Sequence, residues 1–338
     1  MVTIAVDAMG GDYAPREVVY GAVLAAKELA IKIQLVGPPQ LIDKELRRHD
    51  IGGLNLSIVP ASEVVAMDEK PSRAIVRKKD SSIVVTTKQV SQGLADGMVA
   101  AGSTGAATVA AQMGLGRIAN VARSAIACSM PTTTENRVIV IDVGANIDCD
   151  AHQLLQFAQM GSILANGLHG IARPRVGILN IGTEETKGNQ LVQDAYKLMR
   201  SHGDLNFIGF VEGRDFPMGK VDVVVTDGFT GNIALKTAEG IAKMINHMLR
   251  QELLSSLRGK LGAAVAKPSF QAVGRRIDYN ESGGALLVGV KGVCVIAHGG
   301  SKHTAIKNAI RVAKDMVSAR IVEKIESTLS LAAAGSVS

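Results

Sequence analysis

Tryptophan is absent from this 338-residue chain, and six phenylalanines and four tyrosines make up an aromatic content of only 3%. A core drawn from Ala, Val, Ile and Leu follows, which suits helices packed on a parallel sheet. Cysteine occurs at Cys128, Cys149 and Cys294 only. That odd, scattered set excludes a disulfide framework and lacks the spacing of a zinc site, so these read as structural thiols. No apolar run reaches the ~18 residues that a membrane span needs. The N-terminus shows no charged-then-apolar leader, since Val2 to Ala8 reads as a strand interrupted by Asp7. Missing too are a Gly-x-Gly-x-x-Gly after the first strand and the Gly-Lys-Ser/Thr of a Walker A loop, so the simple nucleotide fingerprints do not apply. These absences point to a cytoplasmic protein.

Glycine, in contrast, is abundant at 36 residues, above the usual ~7%. Many of these glycines end apolar runs. Strands and helices alternate along the chain, with strands expected at Val2 to Ala8, Ile31 to Val36, Gly97 to Ala101, Arg137 to Ile141, Val176 to Ile181 and Val221 to Thr226. Between them helices are expected from Pro15 to Ala30, Ala151 to His169 and Asn189 to His202. Such alternation implies an α/β fold with a doubly wound, mostly parallel sheet. A hairpin, Ala285 to Val290 with Val293 to His298, precedes a last helix from Ser301 to about Leu329. The chain reads as one α/β catalytic domain over 1–338 with an inserted basic amphipathic helical segment at 233–276.

That segment holds most of the net charge of +6. From Gly231 to Asn280 there are eight basic residues, Lys236, Lys243, Arg250, Arg258, Lys260, Lys267, Arg275 and Arg276. Against them stand the acids Glu239, Glu252 and Asp278, leaving +5. An apolar stripe that includes Ile241, Met244, Ile245, Met248, Leu254, Leu257 and Leu261 keeps helical spacing between the charges. Three uses remain open: a dimer contact, an anionic membrane surface, or a dock for an acidic carrier. No interleaved aromatics accompany the charge, so nucleic acid is not expected as a partner.

Six apolar runs end in polar, glycine-bearing loops. They are Asp7-Ala-Met-Gly-Gly-Asp12, Ala101-Gly-Ser-Thr-Gly105, Asp142-Val-Gly-Ala-Asn146, Asn180-Ile-Gly-Thr-Glu-Glu-Thr-Lys-Gly-Asn189, Asp227-Gly-Phe-Thr-Gly-Asn232 and Ala297-His-Gly-Gly-Ser301. Ligands of open α/β sheets bind outside the carboxyl ends of the strands, so the six are expected to form one active site. Gly102, Ser103, Thr104 and Gly105 lead straight into a helix, where free amides and the dipole favour an anion, although the same residues also make a plain N-cap. Lys187 beside Glu184 and Glu185 suits a phosphate or a developing oxyanion, unless it is spent in a salt bridge. Asn146, Asn180 and Asn232 are uncharged donors fit for a carbonyl oxygen, or for capping turns. Asp142 and Asp227 read as orienting groups, and His298 as an acid or a donor. No nucleophile stands out: Asp148 and Asp150 would raise the Cys149 thiol. Direct transfer between two bound substrates is the chemistry these residues suit.

Taken together, the six loops resemble the bacterial acyl-carrier-protein:phosphate acyltransferase family of phospholipid synthesis (PlsX), in the expected order and over nearly the whole chain. Gly300 stands where the pattern leads one to expect Ser. The resemblance implies an isopropylmalate-dehydrogenase-like α/β fold, a homodimer, and transfer of a fatty acyl group from acyl carrier protein to inorganic phosphate, with no cofactor or metal. The acyl phosphate would pass to a glycerol-3-phosphate acyltransferase at the inner face of the membrane, where this protein would be peripherally associated. Lys187, Asn180, Asn232 and His298 would then be catalytic. Gly102 to Gly105, Asp142, Asn146, Glu184 and Asp227 would bind phosphate or substrate. Lys243, Arg250, Leu254, Leu257, Arg258, Lys260, Arg275 and Arg276 would touch carrier or membrane. Rival readings are a phosphotransacetylase-like enzyme using coenzyme A thioesters and a non-catalytic membrane scaffold for lipid enzymes. For a nicotinamide-dependent decarboxylating dehydrogenase, which shares the expected fold, the sequence shows no clear arginine cluster and metal-binding aspartates.

Overall fold

The computed structural model of the protein describes residues 1–277 and 283–335. The Arg275 side chain, expected above to touch carrier or membrane, lies outside the described residues. The first half runs β1 (Thr3–Asp7), α1 (Arg16–Glu28), β2 (Lys32–Gly37), α2 (Pro39–Leu46), β3 (Leu56–Pro60), α3 (Pro71–Arg77), α4 (Ser82–Ser91), β4 (Gly97–Gly102) and α5 (Thr104–Leu115). Then come β5 (Ala125–Pro131), β6 (Arg137–Ile141), α6 (Ala151–His169), β7 (Val176–Leu179), α7 (Gln190–Ser201), β8 (Phe207–Val211) and β9 (Val223–Val225). The chain closes with α8 (Gly228–Ser255), α9 (Leu257–Val265), α10 (Lys267–Ile277), β10 (Ala285–Val288), β11 (Val293–His298), α11 (His303–Ser318) and α12 (Ile321–Gly335).

One 11-stranded sheet takes the order β3-β2-β1-β4-β11-β10-β5-β6-β9-β7-β8. Its outer runs are parallel, β3 to β11 on one side and β6 to β8 on the other. Between them, β11 with β10, β10 with β5, and β5 with β6 are antiparallel. The expected mostly parallel α/β sheet is therefore present. An odd number of reversals separates the two runs, so their carboxyl ends face opposite edges of the sheet.

The aliphatic composition explains the packing. Strand β4, Gly-Met-Val-Ala-Ala-Gly, is buried at every position, as a central strand covered on both faces must be. On the covering layer small residues let helices approach: a methyl group at Gly21 of α1 would stand 2.6 Å from Cβ of Ile306 in α11. Helix α6 starts in a capping box, Asp150 with Gln153, and buries Leu154, Phe157, Met160 and Leu164. The expected single last helix is two helices. Arg320 lies in the left-handed region at φ 53, which no α-helix continues through.

Helix α8 buries only Gly228, Gly231 and Leu235, all in its first two turns. Its remaining length leaves the body, at ~1.5 Å per residue, and α9 turns back from Ser256, whose hydroxyl caps Gly259 N–H. The expected apolar stripe is real and exposed, from Ile241 and Met244 out to Leu257 at 80%. Among the described residues no helix is long and apolar enough to cross a membrane.

Candidate active site

Three of the six loops meet at the carboxyl ends of the neighbouring strands β1, β4 and β11. They approach through backbone, which is why glycine occupies the contacts. A methyl at Gly10 would lie 1.7 Å from the Ala101 carbonyl oxygen, so only a residue without Cβ fits there. Asp12 N–H donates to the Gly299 carbonyl at 2.9 Å, and Met67 stands over Gly299 from the segment before α3. Beneath lies a cavity of about 160 Å³ whose polar lining includes Asp7, Ser82 and Ser103.

Each group of this first cluster has a local cause. Ser103 is the N-cap of α5, its Oγ accepting from Ala106 N–H at 3.3 Å, while Thr104 and Gly105 are exposed at the start of the helix. Capping uses an Oγ lone pair and leaves the hydroxyl proton free to donate. His298 ends β11 and is exposed, with Nδ1 accepting from Gly300 N–H at 3.1 Å. That bond leaves the proton of the neutral ring on Nε2. The donor at 300 is backbone, and a side chain there would meet ordinary contacts of 3.6 Å or more. Gly300 in place of Ser therefore keeps the histidine oriented.

Asp7 is a site group that motif reading did not single out, because a carboxylate at a strand end looks like any loop acid. Burial pushes it up to about 6 from 3.8, outweighing hydrogen bonds from Ser82 and the backbone of Met9 and Gly10. Between those two values the native chain holds a proton that the unfolded chain has released, so stability falls as pH rises. Relative to an Asp7→Asn variant, the wild type should lose about 2 kcal/mol between pH 4 and 7. Urea denaturation of both proteins across that range measures it. A difference that does not change with pH would show that Asp7 ionises as readily in the native as in the unfolded chain.

The other three loops form a second cluster, at the carboxyl ends of the neighbouring strands β6, β9 and β7. Here the structure corrects the expected assembly. Within one chain the six loops do not form one site, since β5 alone puts about 20 Å between the two edges. Several of the residues expected to bind substrate also hold the loops through hydrogen bonds. Asp142 is fully buried, and its two carboxylate oxygens accept from the amides of Ile126, Gly144, Ala145 and Asn146 and from Asn146 Nδ2. Asn146 Nδ2 also donates to the Ser124 carbonyl. Asp227 is the N-cap of α8, accepting from the amide and hydroxyl of Thr230 at 2.8 Å. Asn180, 9% exposed, donates to the Lys187 carbonyl at 3.2 Å, and Glu184 offers its carbonyl to Lys187 N–H.

What the second cluster leaves free is narrower. Glu185 pairs with Arg200 at 2.8 Å and accepts from Tyr196, so it does not neutralise Lys187. Among the described residues the Lys187 ammonium has no ion-pair partner, and the exposed Asn232 amide makes no hydrogen bond. Asn232 lies in the first turns of α8, within 3.7 Å of a methyl built at Gly144. Around the root of α8, Ile181, Phe229 and Ile233 are also exposed. Of the residues expected at carrier or membrane, Arg276 donates to the Thr134 carbonyl at 2.8 Å. Lys243, Arg250, Leu254, Leu257 and Arg258 are exposed along α8 and α9, as is Lys260's helix generally.

Two of the three thiols are held away from the thiolate state. Burial, then Asp142, pushes Cys149 up to about 11, and burial pushes Cys294 up to about 12. Neither provides the thiolate that covalent transfer needs. Among the described residues no group of three His, Cys, Asp or Glu is placed to hold a metal ion.

The architecture is that of the phosphotransacetylases. This chain is similar to the Streptococcus pyogenes phosphotransacetylase with a TM-score of 0.64, covering 95% of this chain and 94% of that one at 17% identity. The EutD phosphotransacetylase of Staphylococcus aureus follows at a TM-score of 0.60, 94% of each chain and 17% identity. At such identity the likeness is one of fold. A family model described as fatty acid synthesis protein matches residues 2–324. Proteins named phosphate acyltransferase are similar over nearly full length: 51% identical over 324 residues in Heliobacterium modesticaldum, with 96% of each chain covered. In Nostoc sp. the identity is 46% over 327 residues, again with 96% of each chain covered. The chain belongs to this family, as its six loop motifs led us to expect, and it is an acyltransferase.

Proposed function

We propose that the protein transfers a fatty acyl group from acyl carrier protein to inorganic phosphate, releasing acyl phosphate and free carrier for phospholipid synthesis. The observation that carries this reading is the first cluster, where a helix start with free amides and hydroxyls adjoins a histidine that presents Nε2–H. Phosphate is itself the nucleophile, which accords with two thiols held far from the thiolate state. Held by Ser103, Thr104 and Gly105, a phosphate oxygen attacks the thioester carbon, and the carbonyl oxygen takes the negative charge. When that intermediate collapses the carbon–sulfur bond breaks; the leaving thiolate, whose thiol has an ordinary pKa of about 8.5, accepts a hydrogen bond from His298 Nε2–H and takes up, through water, the proton that the phosphate hydroxyl gives up. Such a site works by position and charge stabilisation.

A dianion at the first cluster has no lysine or arginine lining the cavity beside it. The free cation of the loop motifs is Lys187, at the other edge of the sheet. We therefore assign Lys187 and Asn232 to the site of a second copy in a homodimer. The exposed Ile181, Phe229 and Ile233 around them supply apolar surface for that contact. Farther along, the exposed stripe of α8 and α9 with Lys243, Arg250, Arg258 and Lys260 supports a peripheral place on an anionic membrane. There the acyl phosphate would meet a glycerol-3-phosphate acyltransferase.

Incubating the purified protein with palmitoyl-acyl carrier protein and inorganic phosphate tests the reaction. Free carrier thiol and acyl phosphate should appear together, and only with phosphate present. Thiol release without phosphate would make the protein a thioesterase. Release from palmitoyl-coenzyme A but not from the carrier would favour the phosphotransacetylase-like alternative suggested by the fold.

A further inference from the structure

A second concave surface adjoins the first cluster, and none of the six loops forms it. It encloses about 380 Å³ between α3 and the segment that precedes it, lined by Glu63, Glu69, Lys70, Arg73, Arg77 and Lys78 with Ala74. The acids are already engaged. Glu69 pairs with Lys78 at 2.5 Å, which holds its carboxyl below the usual range, and Glu63 accepts from the amide of Asp80. Among the described residues Lys70, Arg73 and Arg77 form no ion pair, although Arg77 lies near enough to Glu69 to help hold its carboxyl down, and all three are exposed. Arg73 and Arg77, four residues apart, present their guanidinium groups on one face of α3. Met67 and Val76, 52% and 50% exposed, add apolar surface beside the charges.

This surface is continuous with the catalytic one. Met67 lines the cavity that holds Asp7, while Glu69, two residues on, lines the basic groove. Pro71, at the start of α3, packs so closely on Gly105 that a methyl there would stand 3.0 Å from its Cγ. Whatever binds at Arg73 and Arg77 is therefore held at the rim of the helix start proposed for phosphate.

We propose that the Lys70–Arg73–Arg77 face of α3 docks the acidic acyl carrier protein, so that its acylated arm enters the adjoining cavity. This rests on the acyl-carrier reading above, and it assigns docking to α3 instead of the basic segment from Lys236 to Arg276. Charge complementarity is the argument: three unpaired cations and two exposed apolar side chains match an acidic protein surface, and rim charges of this kind govern encounter and salt dependence.

The test is the Arg73→Glu/Arg77→Glu double variant of the full-length protein, assayed without vesicles. Its apparent KM for palmitoyl-acyl carrier protein should rise at least about tenfold, with the salt dependence of the wild type largely lost. Palmitoyl-pantetheine, which carries neither protein nor phosphate, should be turned over within about twofold of the wild-type rate. Arg73→Lys/Arg77→Lys should restore KM for the carrier. An unchanged KM overturns the proposal, and so does an equal loss with palmitoyl-pantetheine, which would place the arginines at the reaction centre. Lost binding to vesicles of anionic lipid with unchanged KM would mean that α3 faces the membrane. Fluorescence anisotropy with labelled carrier separates the two readings. Salt-sensitive binding that depends on Arg73 and Arg77 but leads to no turnover would sink the proposed reaction and leave the docking face standing. No binding by the wild type would sink the docking face.

Discussion

Lys187→Ala should lower turnover of palmitoyl-acyl carrier protein at least ~100-fold, the scale of removing one donor from a developing oxyanion. Its fold should be unaffected, because the ammonium is exposed and has no ion-pair partner among the described residues; the loop is held by Asn180 and the α7 cap Asn189. If the missing charge is supplied across a homodimer, the defect can be complemented. Ser103→Ala and Lys187→Ala chains, tagged differently and purified as a mixed dimer, would contain one site that lacks both groups and one that lacks neither. Such a dimer should recover about half of the wild-type rate, although each parent alone is nearly inactive. A mixed dimer as inactive as its parents would place Ser103 and Lys187 in separate functions. A near-normal rate for Lys187→Ala itself would remove Lys187 from the reaction.

Asp142→Ala should be the most destabilising substitution among the loop residues. Asp142 is buried completely, and its side chain satisfies five N–H donors from Ile126, Gly144, Ala145 and Asn146. Each buried donor left without an acceptor costs about 1–3 kcal/mol. Even if water reaches some of them, a total loss of at least about 4 kcal/mol is expected, which is exceptional for one substitution. Activity should fall with folded protein rather than ahead of it, because the carboxylate faces its own loop. Urea denaturation measures the first claim, and specific activity per folded molecule the second. A stability loss under about 1 kcal/mol would mean that the β6–β9 pairing alone sets this loop. A normally stable variant with no activity would return Asp142 to the substrate.

The course of the elements was written locally. Runs such as Arg137 to Ile141 and Ala151 to His169 coincide with β6 and α6, because apolar periodicity and end signals act over a few residues. The break at Arg320 was hidden for the same reason in reverse: nothing in its neighbours announces a left-handed residue. The six loops were also legible, since glycines and short polar residues at strand ends have few other uses. Which of their side chains are free was not legible. Asp142 and Lys187 look equally available in a sequence, and only the folded chain shows five donors around one and none paired with the other.

By itself the sequence determined the α/β class, the family motifs and the basic amphipathic pattern of the helical segment, all of which depend on residue type and short-range order. Tertiary structure alone decided which edge of the sheet each loop occupies. That choice turns on β10, which lies antiparallel between β11 and β5, a strand some 150 residues earlier in the chain. Pairing over such a separation leaves no local signature, because the direction of a strand depends on its partner in the sheet and its own sequence reads the same either way.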